Sequence, residues 1–352
     1  MPTIEVKKDV DYEIAEDGTY LVYKASGLKA WAEYVKAGNW STNVTLMSDI
    51  TFEENEDWTP IKNGSYGYRG IFDGNGKTIR GLKIGRSGSK DIRNAIFYKL
   101  ESNGVIKRLT VDSPVCYGGT YLSVLAGSCE KGSSIIDCHI NNASLECNLG
   151  GCSGIICGGL YEGYIEGCTA TGTVKGNGVN EVGGLVGIFS SQAYNGSENP
   201  LIVCCSFEGE VTGYGNYYGG IAGKLGGQMK GCYAVATVSG NIYVGGLFGE
   251  VSGYNSLTAS YFKGSVNGTS NIGLLIGSGS STTFTPVNAY YCQDGGDVSV
   301  AVGNATYNEF VKIKDNDWNA AIEDMNNHIG EAYKYRYEWD ETKQYPVLKA
   351  TE

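Results

Sequence analysis

The sequence predicts an all-β fold, a single-stranded parallel β-helix (β-solenoid) with a short helical cap at each end. Three observations predict it: a glycine-rich pentapeptide that recurs along the chain, a period-two alternation behind each copy, and no helical pattern between copies. GGLVG at Gly183 to Gly187 returns as GGIAG at Gly219 and as GGLFG at Gly245. Anchored on its last glycine, the repeat gives Gly127, Gly158, Gly187, Gly223, Gly249 and Gly277, spaced 31, 29, 36, 26 and 28 residues.

Behind each anchor runs a second element: IIDCHI, IEGCTATGTV, CCSFEGEV, GCYAVATV, ASYFKGSV and NAYYCQDGGDV. Earlier versions are TIRGLKI (Thr78 to Ile84) and VIKRLTV (Val105 to Val111), and DITF (Asp49 to Phe52) is a candidate for a still earlier one. One column then reads Leu82, Leu109, Cys138, Cys168, Cys205, Cys232, Ser260 and Ala289. Two residues on, the next reads Ile84, Val111, Ile140, Ala170, Phe207, Ala234, Phe262 and Tyr291. Val174, Val211, Val238 and Val266 form a third, and Thr173, Glu210, Thr237 and Ser265 between the columns are expected to face water. A unit of two or three short strands cannot bury its own apolar face, but stacking equivalent residues about 4.8 Å apart can. About eight turns at that spacing imply a rod about 40 Å long.

The ends need covers, because a raw solenoid edge pairs with other chains. Ser26 to Gly38 carries Leu28, Trp31, Ala32 and Val35 on one helical face with Gly38 as a stop, and Asn316 to Gly330 carries Trp318, Ile322, Met325 and Ile329 at helical spacing. YEWDETKQYPVL follows as a terminal strand after a turn. The expected organisation is a capping segment over 1–57 with one helix, repeats over 58–300, and a cap over 301–352 with one helix and a strand.

Composition narrows the partners. The 352 residues include 53 glycines, roughly twice the usual share of about 7 %, with the aliphatic residues spread evenly, so a turn-rich fold is expected rather than disorder. Net charge is −11, and no Arg stands between Leu109 and Tyr335. Phosphate recognition leans on Arg and Lys clusters, so neither nucleic acid nor an anionic membrane is an expected partner. No run of 18 apolar residues would span a bilayer, and MPTIEVKKDV is not a signal peptide, so an exported protein would carry its leader outside this sequence.

Eleven cysteines and two histidines, without a CxxC, give no zinc spacing. Cys147 with Cys152 and Cys152 with Cys157 are candidate disulfides. Cys138, Cys168, Cys205 and Cys232 are instead expected as an inward structural ladder, because Ser260 and Ala289 continue the column and so it selects size rather than sulfur. Neither metal nor cofactor is expected.

GGLVG, GGIAG and GGLFG, each followed by Cys or Ser and then a GxV, resemble the GLUG-repeat proteins. WTPIKNGSYGYRGIFDGNGKTIRGLKI (Trp58 to Ile84) resembles the lead-in before their repeats, and the likeness runs roughly from Trp58 to Val298. The resemblance implies a right-handed β-helix on an exported, often lipid-anchored bacterial surface protein of a group usually labelled as adhesin candidates. It implies a cell-surface or secreted location and a glycan or host or cell-surface protein as partner; a monomer is expected. Some bacterial immunoglobulin A metallopeptidases also contain GLUG repeats, but their HExxH is missing here: Ile140 follows His139 and Ile329 follows His328.

β-Helices also carry polysaccharide lyases and glycoside hydrolases. A lyase centre needs clustered carboxylates and an Arg or Lys base, and Lys131, Lys175, Lys224, Lys230 and Lys263 fall in different columns. A glycosidase needs two carboxylates about 5–9.5 Å apart. Glu208 with Glu210 and Glu162 with Glu166 qualify by spacing, yet an outer wall offers no burial to raise one pKa. FDGNGKT lacks the spacing of a phosphate loop or calcium turn and is expected as a hairpin-like turn. The stronger candidates are aromatic: Tyr214 and Tyr217 in GYGNYYGG, Tyr243 in GNIYVGG, and Tyr194 and Tyr254 in the insertions SQAYNGSENP and VSGYNS. If Tyr218 and Val244 point inward, Tyr217 and Tyr243 point outward on adjacent turns, and flat amphipathic rings suit sugar or protein recognition. The sequence therefore favours a non-enzymatic surface binding protein, with a carbohydrate-active enzyme as the alternative.

Overall fold

Each turn of the chain is too thin to bury its own side chains, and the structure answers by coiling. The computed structural model describes residues 10–54, 56–62, 64, 66–130, 132–190, 200–252, 255–279, 284–293, 300–304, 310–314 and 317–351, with backbone alone for 284–288 and 291–293. One coil runs through Ser134–Ile136, His139–Cys147, Gly151–Ser153 and Cys157–Leu160; the next repeats it with Tyr164–Glu166, Thr169–Gly176, Asn180–Gly183 and Val186–Ser190. Coils pair in parallel, residue for residue, as in Thr169–Gly176 against Ser206–Gly213. About eight turns stack into a β-solenoid.

The core is a set of axial columns. Tyr20, Val44, Phe72, Ile106, Ile135, Ile165, Ile202, Met229 and Leu257 pair in succession and are all buried. The expected column from Val111 to Phe262 forms in register, as does that of the valines, which continues back through Leu145 to Cys116. In the early copies the register differs from expectation: Ile79, not Ile84, pairs with Val111, and Ile84 pairs with Cys116. The cause lies in FDGNGKT. It forms a bulge within the strand Ile71–Arg80 rather than a hairpin-like turn, and the ladder shifts between Asp73 and Lys77. DITF does belong to the solenoid, since Ile50 pairs with Ile79. The parallel ladder reaches back to Tyr20–Val22, well before residue 58.

The pentapeptide marks places where neighbouring coils nearly touch. A Cβ on Gly184 would lie 2.2 Å from the Gly220 carbonyl oxygen and 2.3 Å from the Phe207 ring, and one on Gly187 would lie 2.1 Å from the Cys152 backbone. The aliphatic residue between the glycines points inward: Leu185, Ile221, Leu247 and Leu275 are fully buried.

At the N-terminal end, the helix α1 (Ala25–Lys36) inserts Trp31 edge-on against Tyr68, Phe72 and Phe97, with ring centroids 5.5–6.1 Å apart. Its indole N–H donates to the Thr42 carbonyl at 3.2 Å, so the polar atom is satisfied inside the plug. The second helix, α2 (Asn319–Ile329), and the hairpin Tyr335–Asp340/Tyr345–Ala350 lie along the flank of the rod instead of across its end. An outward column explains the position. It reads Thr78, Thr110, His139, Thr169 and Ser206 and then turns aromatic with Tyr233, Tyr261 and Tyr290. Those tyrosines would leave an apolar stripe in water, and Trp318, Met325, Ile329 and Tyr337 cover it. Tyr233 and Tyr261 stack at 4.9 Å, Trp318 meets Tyr261 at 4.8 Å, and Tyr261 donates its hydroxyl hydrogen bond to the Pro346 carbonyl. Burying one large apolar side chain contributes about 1.5–3 kcal/mol, so the stripe favours docking of the segment on this flank.

The cysteine column is buried throughout, and its role proves more specific than size. Cys138, Cys168, Cys205 and Cys232 each donate an S–H to the carbonyl two residues earlier, at 3.1–3.4 Å, and Ser260 does the same with its hydroxyl at 2.8 Å. The amides of Cys168, Cys205 and Cys232 donate to the Cys205 sulfur, the Cys232 sulfur and the Ser260 oxygen of the following coil. The residue before each column member is left-handed: Asp137, Gly167, Cys204, Gly231 and Ala259 have φ of 50–64°. The column thus pins a corner that repeats from coil to coil. The ten cysteines with described side chains are buried and unbridged, so neither candidate disulfide is formed; Cys152 Sγ turns to Glu181 and Cys157 Sγ to Cys129. A direct check is substitution at Cys205. Cys205→Ser keeps both hydrogen bonds and is expected to change stability by less than about 1 kcal/mol, whereas Cys205→Val strands the Cys168 amide and is expected to cost about 1–3 kcal/mol in denaturant unfolding.

Candidate functional site

The expected tyrosine site sits at a second corner, again built from left-handed residues. Arg93, Tyr121, Cys152, Glu181, Tyr217, Tyr243 and Asn271 occupy equivalent positions with φ between 52 and 65°. Such backbone costs a non-glycine residue about 1–2 kcal/mol. It is held here by axial hydrogen bonds, Tyr217 N–H to Ile242 O and Val182 N–H to Tyr217 O, each at 3.0 Å. The conformation turns the side chain outward while Tyr218 and Val244, next in sequence, are fully buried as expected.

Tyr217 and Tyr243 stack face to face, with centroids 4.9 Å apart and planes within 8°. The Lys224 ammonium covers the other face of Tyr217 at 3.9 Å and bridges Glu181 at 3.1 Å and Glu250 at 3.5 Å. Burial draws the Lys224 pKa down, but the two carboxylates more than reverse this and hold it above its ordinary value. Burial, with help from Glu250, raises the Tyr217 phenol. Both faces of Tyr217 are therefore occupied, and it offers a ligand its edge and hydroxyl. Tyr214 is 68 % exposed beside Gly178 of the neighbouring coil. Tyr194 and Tyr254 lie outside the described residues.

Further along the same column is a second aromatic cluster that sequence reasoning missed. The Arg93 guanidinium lies over Tyr98 at 5.0 Å and Tyr121 at 4.9 Å, and the Tyr121 and Tyr161 hydroxyls are 2.6 Å apart. Arg93, Tyr98 and Tyr121, with Lys99 and Thr120, line a recess of about 360 Å³. Its signal was the alignment of Tyr121 with Tyr217, which needs the register of corners lacking a shared residue type.

A larger groove, of about 560 Å³, runs beside the C-terminal hairpin. Its floor is the first corner, from Gly76 through Arg108, Asp137 and Gly167 to Cys204; one side is Thr110, His139 and Thr169, and the other is Lys334, Tyr335, Leu348 and Ala350. Arg108 donates to both oxygens of Asp73, at 3.0 and 2.5 Å, and Lys334 pairs with Asp137 at 2.8 Å. His139 Nδ1 is 2.9 Å from the Thr169 hydroxyl. Burial favours protonated Asp137, but hydrogen bonds from Lys334 and Tyr335 outweigh it and keep the carboxyl below its ordinary range. The same competition, with Arg108 as the donor, lowers Asp73.

The stretch without arginine covers only the later coils. The coils begin near Tyr20, so Arg69, Arg80, Arg86, Arg93 and Arg108 all stand on them, and Arg108 lines the groove. Glu208 is held by Lys343 at 2.7 Å and by the Tyr233 hydroxyl at 3.1 Å, Glu210 is exposed, and Glu166 accepts from Tyr164. Among the described residues no three His, Cys, Asp or Glu side chains are grouped to hold a metal ion, and no helix is long and apolar enough to cross a membrane.

No protein-family model matches the chain. Over 124 residues it is 33 % identical to Halomucin of Haloquadratum walsbyi, a stretch that covers 35 % of this chain and 1 % of that protein. A crystal structure of a Bacteroides ovatus protein, provisionally designated an immunoglobulin A1 protease, is similar over 96 % of this chain and 94 % of that one, with a TM-score of 0.59 and 21 % identity. An IgA1 protease structure is similar over 83 % of this chain and 21 % of its own length, with a TM-score of 0.45 and 14 % identity. The Bacteroides ovatus likeness shows a shared solenoid fold; at that identity it shows the fold alone.

Asp137 ties the hairpin to the coils through Lys334 and Tyr335. Because its pKa is lower folded than the ordinary 3.8, the stability it supplies is present above that value and lost as pH falls below it. The protection of amides over 333–350, taken relative to the intrinsic exchange rate at each pH, is expected to fall below pH of about 3.8 in the native chain, and Asp137→Asn is expected to be less protected at neutral pH and to lack that acid step.

Proposed function

We propose that this chain is a non-enzymatic binding protein of the cell surface or exterior, a rigid rod that presents the corner of Tyr214, Tyr217 and Tyr243 to a glycan or a host protein. The observation that carries this reading is the ordering of the tyrosine pair before any ligand arrives. Stacking, the Lys224 bridge and the axial backbone bonds already fix the rings, so little side-chain entropy is left to lose on binding. With both faces of Tyr217 covered, recognition there is by edges and hydroxyls, which favours hydrogen-bonding ligands over stacking ones. The resemblance to GLUG-repeat surface proteins supports the surface location and the adhesion role.

A carbohydrate-active enzyme is the second reading, favoured by Arg108, Asp137 and His139 in one groove. The provisional protease designation of the Bacteroides ovatus protein offers a third chemistry, for which this sequence has no HExxH.

The test is an array of glycans and host-matrix proteins probed with the purified chain, with product analysis of every hit. Binding with the ligand left intact, weakened at least about 30-fold by Tyr217→Ala/Tyr243→Ala, is the expected outcome for anchors of hot-spot strength. A cleaved ligand would move the assignment to an enzyme.

A further inference from the structure

The groove beside the hairpin is separate from the tyrosine corner and has its own chemistry. It spans five successive coils, from Gly76 to Cys204, so it is about 20 Å long at about 4.8 Å per coil. Its volume of about 560 Å³ is of the size that holds small ligands, about 300–1,000 Å³. Along one side the outward column offers a hydroxyl, an imidazole and a hydroxyl at single-coil steps: Thr110, His139 and Thr169. Nδ1 of His139 is taken by Thr169, which leaves Nε2 as its ligand-binding nitrogen.

Two cations line the groove in a chain whose net charge is −11. Arg108 commits two of its guanidinium nitrogens to Asp73, and its side chain remains 51 % exposed. A guanidinium has five N–H donors and an ammonium three. The Lys334 side chain is 50 % exposed, and the pairing of Arg108 with Asp73 and of Lys334 with Asp137 therefore orients both cations and leaves donors over. Leu348 and Tyr335 add an apolar wall.

An extended peptide fits less well. The floor amides already donate along the axis, Asp137 to Glu166 O at 2.9 Å, Gly167 to Val203 O at 3.1 Å and Cys204 to Lys230 O at 2.9 Å, so no open strand edge is offered for β-augmentation. A peptide strand also advances about 3.3 Å per residue, out of step with the coils, whereas a pyranose ring advances by close to one coil.

We infer that this groove binds a carboxylate-bearing oligosaccharide laid along the rod, with Arg108 and Lys334 receiving the carboxylate and Thr110, His139 and Thr169 bonding the ring hydroxyls. The inference goes beyond the proposed function: it adds a second site with its own ligand at a different corner, so the two can fail separately.

The experiment is calorimetric titration of the full chain with tetragalacturonate, a hyaluronan hexamer and sialyllactose. The methyl ester of the tetragalacturonate and a glutamate-rich decapeptide serve as controls. At least one acidic sugar is expected to bind. Arg108→Gln, Lys334→Gln and Thr110→Val/Thr169→Val are each expected to weaken it about tenfold or more, the size of a lost hydrogen bond to a charged group for the cations. Methyl esterification, tested if tetragalacturonate is the binder, is expected to weaken it similarly. Lys334→Gln and the threonine pair leave the Arg108–Asp73 contact in place, which guards against a folding defect in Arg108→Gln. Tyr217→Ala/Tyr243→Ala is expected to leave this binding unchanged. Silence from all three sugars overturns the inference, as does equal binding of acid and ester, insensitivity to the groove variants, or displacement by the peptide at equal affinity. Loss in the tyrosine variant with the groove variants unaffected would sink the groove and keep the tyrosine corner; the reverse result would keep the groove alone.

Discussion

Everything in this molecule depends on one constraint: no coil can bury its own apolar face, so each must copy its neighbour. Parallel pairing meets the constraint by putting like residues over like. The columns from Tyr20 to Leu257 and from Cys116 to Val266 are its direct expression. A copied backbone also copies its corners. The left-handed residues before the cysteine column and at the tyrosine corner recur because each coil's amide is already held by the next, and a strained φ persists where its surroundings over-determine it.

The same copying makes surface features linear. Once a corner is repeated, whatever side chains it carries are laid out at coil spacing, and chemistry varies along the rod by substitution within a column. The outward column from Thr78 to Tyr290 shows this most clearly. Its hydroxyl and imidazole half borders an open groove, while its tyrosine half is covered by α2 and the hairpin. The boundary between a binding surface and a packing surface is thus a change of residue type within one column, near Ser206.

Charge follows a related logic. At the two corners three cations are placed against carboxylates that aim them: Lys224 between Glu181 and Glu250, Arg108 on Asp73, Lys334 on Asp137. Exposed pairs of this kind add little stability. Their consequence is orientation, at the tyrosine corner and in the groove alike, and the two corners are the places where the rod departs from a plain stack of apolar ladders.

The sequence by itself determined the solenoid, the inward ladders from Val111 onward, an N-terminal helix read over Ser26 to Gly38 and the outward direction of Tyr217 and Tyr243. Each of these is periodic, and periodicity is a local signal that survives without knowledge of distant contacts. It also named the cysteines as structural, though the hydrogen bonds from sulfur to carbonyl and from amide to sulfur needed coordinates to be seen. The tertiary structure alone decided the early register, where TIR and LKI carry the same alternation and a bulge at Asp73 chooses between them. It alone laid the C-terminal segment on the flank, because that depends on which outward column turns aromatic once the coils are stacked. The groove was invisible for the same reason: Arg108, His139 and Lys334 are drawn together from coils and a returning hairpin nearly 230 residues apart in sequence, and no period in the chain records that meeting.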